Sequence, residues 1–334
     1  MTGTEAYGGF IRSTQTRLPT ILSTQYTNRG PITVTSDSGF LTAGFTGVGN
    51  ESHPYVLEGI SIGQYDEPCI SISETTAHFV IRDCLLTGTG GTGIKFYSVQ
   101  NGSVESCSIA HKWRGVDFDQ CTDCSLSDTT ISNGDFGAHI TSSTDCIIAN
   151  SVIHSQRVAL DLSSSTGLIL SENNIHDNER GVEIGGSHDF TVTNNTLTHN
   201  GFRVSGPSMS FWTHAFEGNT VNGKPLGYFA GVNDKIIDIS SFGQLLLGHC
   251  DNVTATNGVF RDIDCGVVLE YCVDCTLEGL TLANNTIGAV LDSSSQCQVT
   301  GVTFLDNTDG LILEGCTGCN LTGNEFEDCA VSIR

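Results

Sequence analysis

The chain is short of positive charge. Only four of its 334 residues are lysine, Lys and Arg total 14 against 37 Asp and Glu, and the formal net charge is −23. A phosphate backbone is bound through clustered Lys and Arg, so nucleic acid is excluded as a partner. Cations, neutral glycans or a salty medium fit this balance better. Long apolar runs are missing as well: nothing approaches the roughly 18 consecutive residues that a membrane span requires. The opening MTGTEAYGGFIRSTQTRLP has no basic stretch followed by an apolar one, as a signal peptide would. An exported chain would therefore have had its signal removed. Ala, Glu, Lys and Leu do not recur at helical spacing, which excludes helical repeats. With 38% hydrophobic and 15% charged residues the composition is globular rather than that of an acidic tail.

What is present is a period. GIKFY begins at Gly93, GVDFD at Gly115, GAHIT at Gly137, ALDLS at Ala159 and GVEIG at Gly181, each 22 residues after the last. After an interruption QLLLG begins at Gln244, GVVLE at Gly266, GAVLD at Gly288 and GLILE at Gly310, again at steps of 22, and AVSIR follows at Ala330. Apolar residues fall at offsets +1, +3, +9, +11 and +16 of each unit, for example Val116, Phe118, Cys124, Leu126 and Ile131. Spacing by two means strand, and the intervening Ser, Thr, Asp, Asn and Gly form turns. One unit is three short strands, which cannot bury their own apolar face and must stack on copies of themselves. No LxxLxLxxN signature marks a leucine-rich horseshoe. The fold class is all-β, a right-handed parallel β-helix with about 22 residues per coil and coils about 4.8 Å apart.

This reading makes residues 31–334 a single β-helix and leaves 1–30 as an N-terminal extension, a cap or a partner-contacting segment. Residues 202–243 break the step and are expected to form enlarged loops on a coil that continues the stack. Their aromatics Phe202, Phe211, Trp212, Phe216, Tyr228 and Phe229 either carry binding or close a local core.

Fourteen cysteines fall on the repeat. Cys124, Cys146, Cys275, Cys297 and Cys319 hold offset +9, where other coils carry Leu168, Phe190 and Val253, so this is a core position. The CxxC pairs at 272/275 and 316/319 start 44 residues apart, two coils, and cannot share a zinc ion. Most cysteines are expected as buried free thiols.

The stretches GFTGVGNESHPYVLEGISI (44–62), CISISETTAHFVIRDCLL (69–86) and NTVNGKPLGYF (219–229), with Asn-rich turns at Asn173, Asn174, Asn194 and Asn195, resemble archaeal exported β-helix repeat proteins of the NosD-like class. The resemblance implies the fold over residues 30–334. It also implies likeness to a periplasmic protein that assists copper-site assembly and to carbohydrate-binding and sugar-hydrolase modules. No Met or His cluster carries a copper role onto this sequence.

Offsets +2 and +4 of the first strand point outward. The +2 row reads Lys95, Asp117, His139, Asp161 and Glu183, with Asp119 beside it at +4 and Trp113, Arg114, Arg157 and Arg180 at its border. These ionisable groups, one per coil, are the candidate catalytic set, Asp119 and the border the candidate binding set. Carboxylates so spaced raise one another's pKa or recruit calcium, with Asp117, Asp119 and Asp161 as ligands; no other cofactor is implied. Asp117 and Asp161 also meet the separation that glycoside hydrolysis asks of two carboxylates. Asp117→Ala and Asp161→Ala are expected to leave the melting temperature unchanged. The later row Glu270, Asp292 and Glu314 reads as plain surface. Sequons at Asn50, Asn101, Asn194, Asn252, Asn284 and Asn320 are glycosylation candidates in an exported chain.

The expectation is an extracellular or cell-surface β-helix, a scaffold or glycan-recognition module without catalysis. Two alternatives stand beside it: a polysaccharide lyase or glycoside hydrolase using the row, and a subunit of a head-to-tail filament.

Overall fold

The computed structural model describes residues 26–63 and 66–334, nearly all of them in short strands and turns. They form a parallel β-solenoid whose complete coils contribute three strands to three walls. The first wall holds eight strands, among them Thr92–Val99, Arg114–Asp119, Phe136–Thr141, Val158–Ser163 and Arg180–Gly185. The register follows the 22-residue step, with Val116 beside Ala138 and Ala138 beside Leu160. Like residues therefore stack on like inside the coil: the Phe96 and Phe118 rings lie 4.7 Å apart and 5° from parallel.

Turns between walls repeat too. Asp128, Asn150, Glu172 and Asn194 occupy successive coils with φ near +50°, a conformation that short polar side chains tolerate. Inside these turns side chains satisfy the preceding coil's backbone. Asn195 is fully buried; its Oδ1 accepts from the Asn173 backbone N–H at 3.0 Å, and its Nδ2 donates to the Leu170 carbonyl at 2.8 Å. Asn219 continues this ladder below it, and Ser143, Ser165 and Ser187 form another. All fourteen cysteines are free and eleven are buried. Their thiols lie against backbone carbonyls, such as Cys275 Sγ at 3.5 Å from the Cys250 oxygen.

The expected role of residues 1–30 falls mostly on 1–25, outside the described residues. Thr27–Arg29 already belongs to the solenoid and pairs with Ile60–Ile62. Over the first coil lies Phe40, carried on the short helix Gly39–Thr42 and fully buried among Phe45, Tyr55 and Phe79.

The interruption at 202–243 is more than an enlarged loop, and the stack does not simply continue through it. Phe202–Ser205 is the last strand of the first wall, and Ala215–Glu217 the last of the second. Thr220–Val221 then turns tightly through Asn222 and Gly223 into Lys224–Ala230, the one antiparallel pairing between wall strands among the described residues. From there a second stack begins, with its own first wall of Lys224–Ala230, Gln244–Gly248, Cys265–Glu270, Ile287–Asp292, Asp309–Glu314 and Val331–Ile333.

The outward side of that wall closes the end of the first stack. Gln244 replaces the strand that would come next: its Oε1 accepts from Phe202 N–H and its Nε2 donates to the Phe202 carbonyl, each at 2.8 Å. Glu270 accepts from Gly206 N–H and Asp264 from Gly181 N–H, both at 2.7 Å. Glu270, expected as plain surface, is only 4% exposed. The physical reason is that this wall is apolar on both sides, since outward-facing Leu246, Val268 and Val290 are as buried as the core. Four of the six aromatics of the interruption line the same junction. Trp212 is fully buried and stacks on Tyr228, which packs on Phe216 and so on Phe202. Gly248 is required there, because a Cβ would sit 2.1 Å from the Trp212 ring.

Candidate functional site

The first wall brings the predicted row together. Lys95, Asp117, His139, Asp161 and Glu183 stand in register on successive strands, and Arg203 extends the row by one coil. Arg203 escapes the sequence reading because the step from Glu183 is 20 residues, not 22.

The centre of the row is more tightly built than a solvated face. Asp117 is 4% exposed. Arg114 Nη1 lies 3.1 Å from both its carboxylate oxygens, and His139 Nδ1 lies 2.9 Å from Oδ1. Burial pushes the Asp117 carboxyl up, but the hydrogen bond from His139 and the charge of Arg114 outweigh it and hold the group below its ordinary value. An ionised Asp117 accepts the His139 Nδ1 proton, which leaves Nε2 directed to Asp161, 3.7 Å from its Oδ2. Asp117→Ala would strand Arg114 and His139, so the expectation of unchanged stability is corrected to a loss of about 1–3 kcal/mol. Asp161 is partly exposed, and there the expectation stands.

The border is aromatic and cationic. Trp113 is 49% exposed, and the Arg114 guanidinium lies 4.5 Å from its ring centroid. Phe136 meets Trp113 edge-on at 6.4 Å and carries the Arg157 guanidinium at 4.6 Å. Arg180 is bound to Glu183 at 2.8 Å, and Arg157 approaches Asp135 at 3.8 Å. Beside Trp113 opens a cavity of about 470 Å³ lined by Gly90, His111, Asn133 and Asp135.

Calcium does not fit. Asp117 spends both oxygens on Arg114 and His139, and among the described residues no group of three or more His, Cys, Asp or Glu side chains is placed to hold a metal ion. Asp119 lies beside the row without joining the hydrogen-bonded centre. Of the sequons, Asn50, Asn194, Asn252, Asn284 and Asn320 are exposed and Asn101 half-buried. The amides of Asn101, Asn252 and Asn284 are used in turn bonds, to the Thr76 carbonyl, Asp234 and Asp262.

Coils of this period and inward alternation define the right-handed β-helix class, and the family model of the right-handed beta helix region matches residues 68–224. The model of the periplasmic copper-binding protein NosD family matches residues 219–334, and the chain is a NosD-like β-helix repeat protein. The copper of that description finds no fitting donor set here. Residues 219–334 contain one histidine, His249, and no methionine, and their cysteines hold the core positions already described.

None of the curated proteins matches the chain. Among solved structures it is similar to the Azotobacter vinelandii mannuronan C-5 epimerase AlgE6 A-module, with 15% identity over 84% of each chain and a TM-score of 0.41. It is similar to an alginate lyase from Paenibacillus sp. str. FPU-7, with 12% identity over 89% of this chain and 99% of that one and a TM-score of 0.40. The catalytic domain of a GH87 alpha-1,3-glucanase in complex with nigerose shows 14% identity over 90% of this chain and 63% of that one, with a TM-score of 0.39. Among the described residues no helix is long and apolar enough to cross a membrane.

Proposed function

We propose that this chain recognises polysaccharide outside the cytoplasm, laying the glycan along the first wall parallel to the solenoid axis. The observation that carries this reading is Trp113, a half-exposed ring held by Arg114 and Phe136 at the border of a row of polar groups in register. An aromatic face beside spaced hydrogen-bonding groups suits a sugar, which has an apolar ring face and a polar edge. Lys95 and Arg203, at the two ends of the row, have no ion-pair partner among the described residues and are free to meet the glycan.

Acid–base chemistry on the bound glycan is the second reading, favoured by His139 set between Asp117 and Asp161. In it His139 Nε2 exchanges a proton with the sugar and Asp117 orients the ring. The variant of this reading that uses Asp117 and Asp161 as a hydrolytic carboxylate pair loses support, because Asp117 is held ionised and fully engaged.

Trp113→Ala should weaken polysaccharide binding by about tenfold while leaving the fold intact, because the ring supplies contact area and no core packing. Titration calorimetry against a panel of polysaccharides reads this. A panel member that binds the parent and the variant equally well would remove Trp113, and with it the reading.

A further inference from the structure

A second cationic feature lies away from the row, at the bend between the stacks. The first coil of the second stack supplies only two strands, Lys224–Ala230 and Asn233–Asp238, and returns through residues 239–243 without a third. Val259–Arg261 is consequently the edge strand of the second stack's four-stranded wall. Where the missing strand would lie, a cavity of about 490 Å³ opens, lined by His199, Asn222, Gly223, Lys224, Arg261 and Asp262 among others.

Two cations without an ion-pair partner among the described residues, a state that Lys95 and Arg203 share on the first wall, meet at this cavity. Arg82, Arg114, Arg157, Arg180 and Arg334 each lie within 4.0 Å of a carboxylate, as expected at a net charge of −23. Lys224 and Arg261 have no ion-pair partner among the described residues, although both are exposed and Asp262 lines the same cavity. Asp262 is turned to its neighbour coil, where Asn284 Nδ2 donates to its Oδ1 at 3.1 Å. His199 is fixed by a 2.7 Å contact from Nδ1 to Asp177 Oδ1. Asn222 donates to the Arg261 carbonyl at 2.9 Å and so anchors the cavity floor to the edge strand.

We infer that this cavity binds a sugar carboxylate, so that the polysaccharide recognised by the chain is an acidic, uronate-bearing one; the second clause rests on the glycan reading above. Two cations against one carboxylate leave a single uncompensated positive charge, which suits a monoanion rather than a phosphate. The Arg261 guanidinium can grip a carboxylate through two N–H donors while Lys224 adds a point charge. The volume falls in the range of small-ligand sites and accommodates a sugar ring.

The test titrates the full chain with free glucuronate and with glucose, followed by NMR, using the parent, the double variant Lys224→Gln/Arg261→Gln and Trp113→Ala. Glucuronate should bind the parent, lose about tenfold or more in affinity to the double variant, and bind Trp113→Ala as it binds the parent. Glucose should not bind at the bend. The inference is overturned if glucuronate ignores the parent, if the double variant binds it unchanged, or if glucose binds equally well. Should the pocket behave as stated while acidic polysaccharide fails to bind the parent, the pocket stands and the glycan reading falls. The reverse pattern, with polysaccharide bound and glucuronate unaffected by the double variant, removes the pocket alone.

Discussion

Asn195→Leu should cost the fold about 3–5 kcal/mol, although leucine fits the volume and many coils are lined with it. The substituted side chain is fully buried and serves three coils. Its loss would leave the Asn173 backbone N–H and the Leu170 carbonyl without their partners and would break the amide pairs to Asn173 and Asn219. Each orphaned buried group costs about 1–3 kcal/mol, and burying an extra leucine offsets only part of that. Equilibrium denaturation in urea reads the difference. A loss below about 1 kcal/mol would mean that the ladder is replaceable by packing, contrary to this account.

The junction should give the largest pH effect. Burial raises the Glu270 carboxyl from 4.5 to about 7, and the Gly206 N–H offsets only part of this. Asp264, six residues earlier on the same side of this wall, is raised to about 6, again chiefly by burial. A folded value above the unfolded one means that folding favours the neutral acid. The stabilisation is complete below about pH 4.5 and is lost as pH rises through about 7. For Glu270 this amounts to about 3 kcal/mol across that window. Glu270→Gln keeps an acceptor for Gly206 and cannot ionise, so between pH 5 and pH 8 it should lose less stability than the parent by about that amount. Parallel losses in parent and variant would show that the junction does not sense this proton.

The coil was legible in the sequence because alternation and a fixed step leave few ways to stack three strands, and the register of Lys95, Asp117, His139, Asp161 and Glu183 followed directly. Alternation assigns a side chain to a face but not its neighbours. That Asp117 is covered depends on Arg114, three residues earlier, folding back across it, which no spacing encodes. The bend did leave a trace that the reading passed over. GVDFD and GAHIT carry Asp and His at offset +2, whereas QLLLG, GVVLE, GAVLD and GLILE carry Leu, Val, Val and Ile there. Three apolar residues in succession mark a wall buried on both sides, and such a wall needs something to cover. In this chain its outward side meets the end of the first stack. The row of Glu270 reads as plain surface because it has no basic or aromatic border, and the lack of a border says nothing about what covers the side chain.

Hydrogen–deuterium exchange with and without a bound acidic polysaccharide tests the central claim most directly, since it reports which strands the glycan covers without assuming any residue's role. Added glycan should protect the backbone of Arg114–Asp119, Phe136–Thr141 and Val158–Ser163, with the turn at Trp113, and should leave the second wall of the first stack unchanged, with protection on the third confined to Thr198 at the bend cavity. Protection confined to those other walls, or none on the first wall under saturating glycan, would contradict it.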